Sequence, residues 1–569
     1  MPFITEQPRF KGITLPPSGW VLAVLLVVYI FTGLIGHDPW KHDDAISIGI
    51  AYDMVSNGNW LMPQLAGQSY PDAPLYYWAA AITAHLFSWL LPVHDAARLA
   101  SGLFTLLALA FILLAARELH GRAHAAAGPL ILAGSIGFLF HAHEAQPMLA
   151  ALTANTAAFW ALTLLPRRPV VAAMVFGTAV AIAFLANGLL PVLTLLPVTA
   201  FSLWQSADWK KSLKLLALAM ALALFLSGLW LLPLYLASPE YLKAFFQREL
   251  AALTKPVPAF SNTLRYLSLL LWYAWPALPL AAWALWSKRR LLRSTPLALP
   301  IFSFVSILII LGLSTELRSA AALLLLPPLV LLAVPGVSSL RRGAANSFDW
   351  FGMMLFTFLA AVVWIVWFAM VYGWPERLAR QAVRLEPGFV GHFSLPAFVF
   401  SILATSLWCW LIVTSPRSSM RGIMHWMSGL ALFWLLIATL WMPWIDYGKS
   451  YRPLSASLAR TLPAKNYCVA NANLPDSILA SLDYFDRIRT VPLKSTAGKA
   501  CNWLLIQGEA RDPAAISAAG WRKVWEGKRP GDRRDSDIFH LFRRDAKANK
   551  AATLPDHLVA PPEAGSSRP

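Results

Sequence analysis

The chain has 569 residues, 57% of them hydrophobic and 13% charged, with a mean hydropathy of +0.55 and a formal net charge of +18. Soluble proteins carry about 25% charged residues, so too few charges are present to cover a water-facing surface, and a soluble globular protein is excluded. The positive charge is not a nucleic-acid signal, because most of it sits in short clusters between apolar runs of about 17–25 residues, as membrane topology requires.

The first apolar run, Trp20–Gly36, follows a short N-terminal segment (1–19) carrying Arg9 and Lys11. It ends in His37-Asp38-Pro39 rather than a small-residue cleavage site, so it is expected to remain as the first span. A first outer loop is placed at 37–95. It contains a paired acid, Asp43-Asp44, a short amphipathic stretch, a Gly-Asn-Trp turn and a Pro-Leu-Tyr-Tyr-Trp cluster. Carboxylates at the membrane surface beside aromatic residues suit chemistry on a lipid-borne polar head group; a solvated loop with interfacial aromatics has the same composition.

Pro74–Leu91 is apolar enough to span. Counting it would put Arg117 and Arg122 outside and invert every later basic loop. Its Tyr76, Tyr77, Trp78 and Trp89 favour the head-group level, and an interfacial or re-entrant helix is predicted. The basic clusters Arg9/Lys11, Arg117/Arg122, Arg167/Arg168, Lys210/Lys211/Lys214, Lys288–Arg293, Arg341/Arg342 and Arg417/Arg421 then all fall on the cytoplasmic side. The Asp43 loop, His141–Pro147, the Asn187 turn, Ser238–Asn262, Ser314–Ser319 and Tyr372–Gly391 fall outside. The expectation is a mainly α, polytopic inner-membrane protein with about thirteen transmembrane helices between 20 and 443, its N-terminus cytoplasmic and its C-terminus periplasmic.

After Pro443 the long apolar runs stop. β-like pieces (Tyr467–Ala470, Trp503–Gln507, Ile538–Phe542) alternate with helix-like ones (Asp476–Phe485, Ala514–Ala519), which predicts a small α/β periplasmic domain over 444–545. The tail, 546–569, has a disordered composition. Cys468 and Cys501 lie beside β-like pieces of that domain, where an external compartment permits a disulfide; two buried free thiols are the alternative. Cys409 lies in a span and serves as a small apolar residue.

The chain has no Walker-type phosphate loop, dinucleotide fingerprint or Cys/His zinc spacing. Its spans carry almost none of the ionisable relays that proton-coupled transporters place inside the bilayer. The polar residues gather at the outer ends, which points to surface chemistry rather than transport.

These residues resemble the lipid-dependent GT-C type glycosyltransferases, in particular the superfamily of the 4-amino-4-deoxy-L-arabinose lipid A transferase and the protein O-mannosyltransferases. Asp43-Asp44 looks like their Asp-Glu pair. Met54–Trp60 is similar to their Met-Leu-x-x-Gly-Asp-Trp, and Gln64–Trp78 to a stretch ending Pro-Pro-Leu-Tyr-Tyr-Trp. Ala97-Arg98-Leu99, Phe245–Leu250 and Glu316–Pro328 resemble further segments in the same order. Each motif alone is weak; together they cover most of the membrane part.

The resemblance implies transfer of a sugar from a polyprenyl-phosphate carrier to a lipid A, glycan or protein acceptor, with Asp43 as base and Asp44 second. It also implies a lysine on the donor phosphate, but the matching stretch reads Pro71-Asp72-Ala73-Pro74. Arg248 and Arg318, both in outer loops, are the candidates to replace it. Asp72, Tyr76 and Tyr77 complete the expected substrate-binding set. Glu144 and His143, with His141 nearby, stand where the family usually carries an Asp, and their types allow a divalent metal site with Asp43.

Blander roles fit the same residues. Asp44 suits a helix cap and Asp72 a turn. Arg248 can pair with Glu249, Arg318 can anchor its span, and polar residues are common at span ends. A lipid-linked glycan flippase and a non-catalytic family member are the alternative functions.

Overall fold

The computed structural model describes residues 19–544, apart from 207, 255–258, 293, 315–316, 465–466, 473, 509–519 and 535–536. The N-terminal segment with Arg9 and Lys11, the helix-like piece Ala514–Ala519 and the 546–569 tail lie outside the described residues.

Nine helices among the described residues are long and apolar enough to cross a membrane: Val93–His120, Pro147–Leu164, Pro169–Asn187, Trp209–Ala237, Pro296–Leu313, Ala321–Ser339, Arg342–Tyr372, Leu395–Thr414 and Arg421–Thr461. A tenth is broken. Phe260–Tyr273 and Ala277–Ser287 meet at 101°, and Pro276, which has no N–H to continue the first helix, stands at the break. Leu22–Phe31 and Leu189–Trp204 are apolar but shorter. Another expected span is divided into Ala127–Ala133 and Ile136–Ala142, interrupted at Gly134-Ser135. A count of thirteen therefore does not emerge from helix length, because several apolar runs are shortened or broken by Gly and Pro.

Ala321–Ser339 and Pro147–Leu164 lie almost wholly inside the bundle, whereas Leu224, Leu232, Leu236, Leu403 and Val413 on Trp209–Ala237 and Leu395–Thr414 are exposed. Helices satisfy their own backbone groups, so such an apolar outer face suits lipid. Within Pro74–Leu91 the helix is Leu75–Phe87, 13 residues. At 1.5 Å per residue that is about 20 Å, short of the roughly 30 Å hydrocarbon core. It buries Tyr76, Tyr77, Ala80, Ala81 and Ala84 and packs on Val93–His120.

Two strands, β1 (Gln64–Leu65) and β2 (Gln68–Ser69), form a small antiparallel hairpin in the first loop. The C-terminal domain holds β3 (Val469–Ala472), β4 (Thr490–Pro492), β5 (Trp503–Gln507), β6 (Trp521–Gly527) and β7 (Phe539–Arg544) in the order β4-β3-β5-β7-β6. β3 runs parallel to β4 and β5, and β7 antiparallel to β5 and β6. The all-buried β3 begins two residues later than the expected Tyr467–Ala470, and the Asp476–Asp486 helix matches the expected Asp476–Phe485. β4 and β6 do not, being too short or too polar to signal alone. Cys468 and Cys501 are disulfide-bonded, with Cα atoms 4.9 Å apart.

This domain sits on the first loop. The Asp476–Asp486 helix packs against His42–Asn57, and a Cβ on Gly49 would meet the Cβ of Ala480 at 2.8 Å, so only glycine allows the approach. Arg489 bridges Asp53 (3.0 Å) and Asp483 (2.9 Å), and Gln68 donates to the Thr490 carbonyl at 2.7 Å.

Candidate active site

The two acids of the pair occupy the first turn of His42–Asn57, where the helix dipole favours negative charge, but they face different surroundings. Asp44 is 1% exposed. Arg98, itself fully buried, grips it at two points, Nε to Oδ1 at 2.9 Å and Nη2 to Oδ2 at 2.8 Å. The Ala145 backbone N–H donates to Oδ1 at 2.7 Å. Burial pushes the Asp44 carboxyl up, but the Arg98 charge and its hydrogen bonds prevail and hold it below its ordinary value. Asp44 is not the helix cap: the N-cap is Lys41, without a side-chain bond. Nor does Asp44 have a free face for substrate. Asp43 is exposed, and Gln146 Nε2 donates to its Oδ2 at 2.9 Å.

Arg98 also donates to the His37 carbonyl (2.8 Å) and to Asp95 Oδ1 (3.1 Å). Burial, with the Arg98 charge added, lowers the His37 imidazole to about 3, so this histidine stays neutral beside the cation.

Glu144 and His143 do not come together as metal ligands. Both His143 ring nitrogens face carbonyls, Nδ1 that of Leu139 and Nε2 that of Tyr29, each at 2.8 Å. Glu144 pairs with Lys41 Nζ at 3.0 Å and bonds His141 Nδ1. Among the described residues no group of three or more His, Cys, Asp or Glu could hold a metal ion. The adjacency of acids and histidines in sequence is converted by the turn into an ion pair and backbone bonds, and a divalent ion does not fit these donors as they stand.

A second cluster forms around Asp72. Tyr77 donates to Asp72 Oδ2 at 2.9 Å, and Arg248 Nη2 lies 3.7 Å from the same oxygen. Arg248 also donates to the Pro71 carbonyl (2.8 Å) and lies over the Tyr70 ring at 4.6 Å. It does not pair off with Glu249, which accepts the Leu189 N–H at 2.7 Å. Arg248 stays partly open, its side chain 42% exposed. Arg318 is exposed as well; its backbone N–H donates to the Tyr266 hydroxyl at 3.4 Å.

Tyr76 and Tyr77, neighbours in the chain, join the two clusters. The Ser101 hydroxyl donates to the Glu144 carbonyl, so Tyr76 donates to Ser101 Oγ, 2.7 Å away. Tyr76 thus belongs to the Asp44–Glu144 cluster and Tyr77 to the Asp72–Arg248 cluster, their rings 6.2 Å apart.

Sequence reasoning assigned no role to Arg98, Lys41 or Gln146. Arg98 had a signal: it is a cation inside the long apolar stretch Val93–His120, where a charge requires a partner. It also missed Asp38, which accepts bonds from Ser450 Oγ (2.6 Å) and Arg452 Nε (2.9 Å) and so ties the first loop to the start of the C-terminal domain.

No family model matches the chain. It is 26% identical over 431 residues to undecaprenyl phosphate-alpha-4-amino-4-deoxy-L-arabinose arabinosyl transferase 2 of Proteus mirabilis, covering 72% of each chain. It is 29% identical over 244 residues to the transferase of the same kind from Edwardsiella ictaluri, covering 41% of this chain and 43% of that one, less than half of the relative's length. The crystal structure of ArnT from Cupriavidus metallidurans bound to undecaprenyl phosphate superposes with a TM-score of 0.67 at 18% identity, covering 94% of this chain and 99% of that one.

The fold is therefore that of the GT-C type glycosyltransferases, a polytopic membrane protein with a small C-terminal sheet domain. Within that class the chain is similar to the undecaprenyl-phosphate aminoarabinose transferases, as its motifs indicated.

Proposed function

We propose that the protein is an inner-membrane glycosyltransferase that moves a sugar from a polyprenyl-phosphate carrier to an acceptor hydroxyl on lipid A, a surface glycan or a protein. The observation that carries this reading is the division of labour in the acid pair. Asp44 is fixed by Arg98, and Asp43 beside it is exposed and steered by Gln146.

The acceptor oxygen attacks the anomeric carbon as the bond from that carbon to the phosphate oxygen breaks. The acceptor proton passes to Asp43 and the lipid phosphate leaves with the bonding pair. Negative charge growing on the phosphate requires a cation. Arg248, half open and held over Tyr70, suits that role, because its fork can bind two phosphate oxygens. Arg318 is the second candidate, from a separate loop. Asp72, through Tyr77 and Arg248, positions the cation, and Tyr76 braces the acid cluster.

The transferase relatives and the charge-poor spans favour this reading over a flippase. The distribution of basic loops supports a cytoplasmic N-terminus and a periplasmic C-terminal domain. The direct test compares lipid A, surface glycans and envelope proteins from cells with and without the protein by mass spectrometry and follows the sugar that the protein adds. Absence of transfer to lipid A, glycan and protein acceptors alike overturns the proposal.

A further inference from the structure

At the end of the bundle opposite Asp43, the structure holds a cavity of about 1800 Å³. The Arg421–Thr461 helix measures the separation: Arg421 lines the cavity, and Asp446, about 37 Å further along at 1.5 Å per residue, accepts the Asp38 N–H beside the acid site. Among the described residues that line the cavity, four are cations, Lys288, Arg342, Arg417 and Arg421, and one is an acid, Asp349. That acid is already engaged, with His425 Nδ1 at 2.6 Å and Arg421 Nε at 3.2 Å. The first turns of two long helices, Arg342–Tyr372 and Arg421–Leu436, also line it and add the partial positive charge of their free N–H groups. Among the lining residues Trp350 is 61% and Phe351 46% exposed, placing aromatic side chains at the mouth, where a span meets the head groups.

We infer that this cavity binds the phosphate of an anionic phospholipid. A phosphate matches the excess of cations, and basic pockets between transmembrane helices take such head groups. The exposed aromatics favour an occupant that brings acyl chains with it over a soluble ion. The inference rests on geometry at the far end of the bundle and is independent of the proposed sugar transfer.

Native mass spectrometry of the full chain in detergent, titrated with phosphatidylglycerol or phosphatidylcholine, tests it. Discrete copies of phosphatidylglycerol should be retained in preference to phosphatidylcholine. The double variant Lys288→Ala/Arg417→Ala should lower that retention roughly 10- to 30-fold, from about 1 kcal/mol per cation. Arg289→Ala/Arg290→Ala removes the same charge from the neighbouring surface, outside the cavity lining, and should leave retention unchanged. If the first double variant does not fold, Arg417→Ala alone serves, since that residue is exposed. Equal losses in both double variants, equal retention of the two lipids, or displacement of phosphatidylglycerol by millimolar inorganic phosphate would each overturn the inference, the last by assigning the cavity to a soluble anion.

Discussion

Arg98 holds Asp44 in a two-point grip, at 2.9 and 2.8 Å, with both side chains buried. The pair fixes the start of His42–Asn57 against the Val93–His120 helix and so sets where the neighbouring Asp43 stands. Breaking a buried pair by removing one partner leaves the other charge uncompensated, at about 3–5 kcal/mol. Arg98→Ala should therefore lower the melting temperature and folded yield in fluorescence-detected size exclusion, with Arg98→Lys intermediate because it lacks the planar fork. A wild-type elution profile and melting temperature for Arg98→Ala would contradict this role.

Asp43→Asn keeps the shape but removes the basic group. Transfer should fall by at least about 100-fold, with membrane insertion and melting temperature retained, since Asp43 is exposed and its recorded side-chain partner is Gln146. Comparison with Arg98→Ala separates the two roles: one variant loses turnover, the other the fold. Near-normal turnover in Asp43→Asn removes the base assignment.

For Arg248, alanine should raise the donor KM or lower turnover about 10- to 100-fold, from the loss of charge-assisted bonds to phosphate. Lysine should restore only part. Arg318→Ala should have a similar effect if both arginines hold the donor. Kinetics with a synthetic polyprenyl-phosphate sugar distinguish a shared from a single role, and wild-type kinetics for both alanine variants would show that neither holds the phosphate.

The disulfide closes a segment of 33 residues that includes the Asp476–Asp486 helix and β4. Chain-entropy reasoning gives it about 3–4 kcal/mol. Cys468→Ser/Cys501→Ser should make the C-terminal domain markedly more sensitive to limited proteolysis. Wild-type should change mobility on non-reducing gels when treated with dithiothreitol; an unchanged mobility together with three titratable thiols in the denatured chain, instead of Cys409 alone, would contradict the bond.

Orientation can be read with reporters. A periplasmic reporter fused after Tyr447 should be active and one after Arg168 inactive. A reporter after Pro92 should be active, because Leu75–Phe87 is too short to cross. Inactivity there would make that helix part of a span and invert the loops that follow.

The sequence determined the class. Apolar run length and basic loops identify a polytopic membrane protein because bilayer thickness and insertion act on composition directly, and the ordered weak motifs gave the GT-C resemblance. It also found β5 at Trp503–Gln507, whose apolar run is a local signal. The span count was not legible, and although the resemblance ranked Asp43 before Asp44 as base, what separates the two was not. Breaks at Gly134-Ser135 and Pro276 decide which runs remain continuous, and that depends on how helices pack. Asp43 and Asp44 are the same residue type in adjacent positions. Only the arrival of Arg98 from 54 residues away, the Ala145 N–H and Gln146 from the next loop made one a buried anchor and left the other exposed. Likewise His143 and Glu144 have the composition of a metal site, but carbonyls and Lys41 occupy them, a matter of distances that only the folded chain sets.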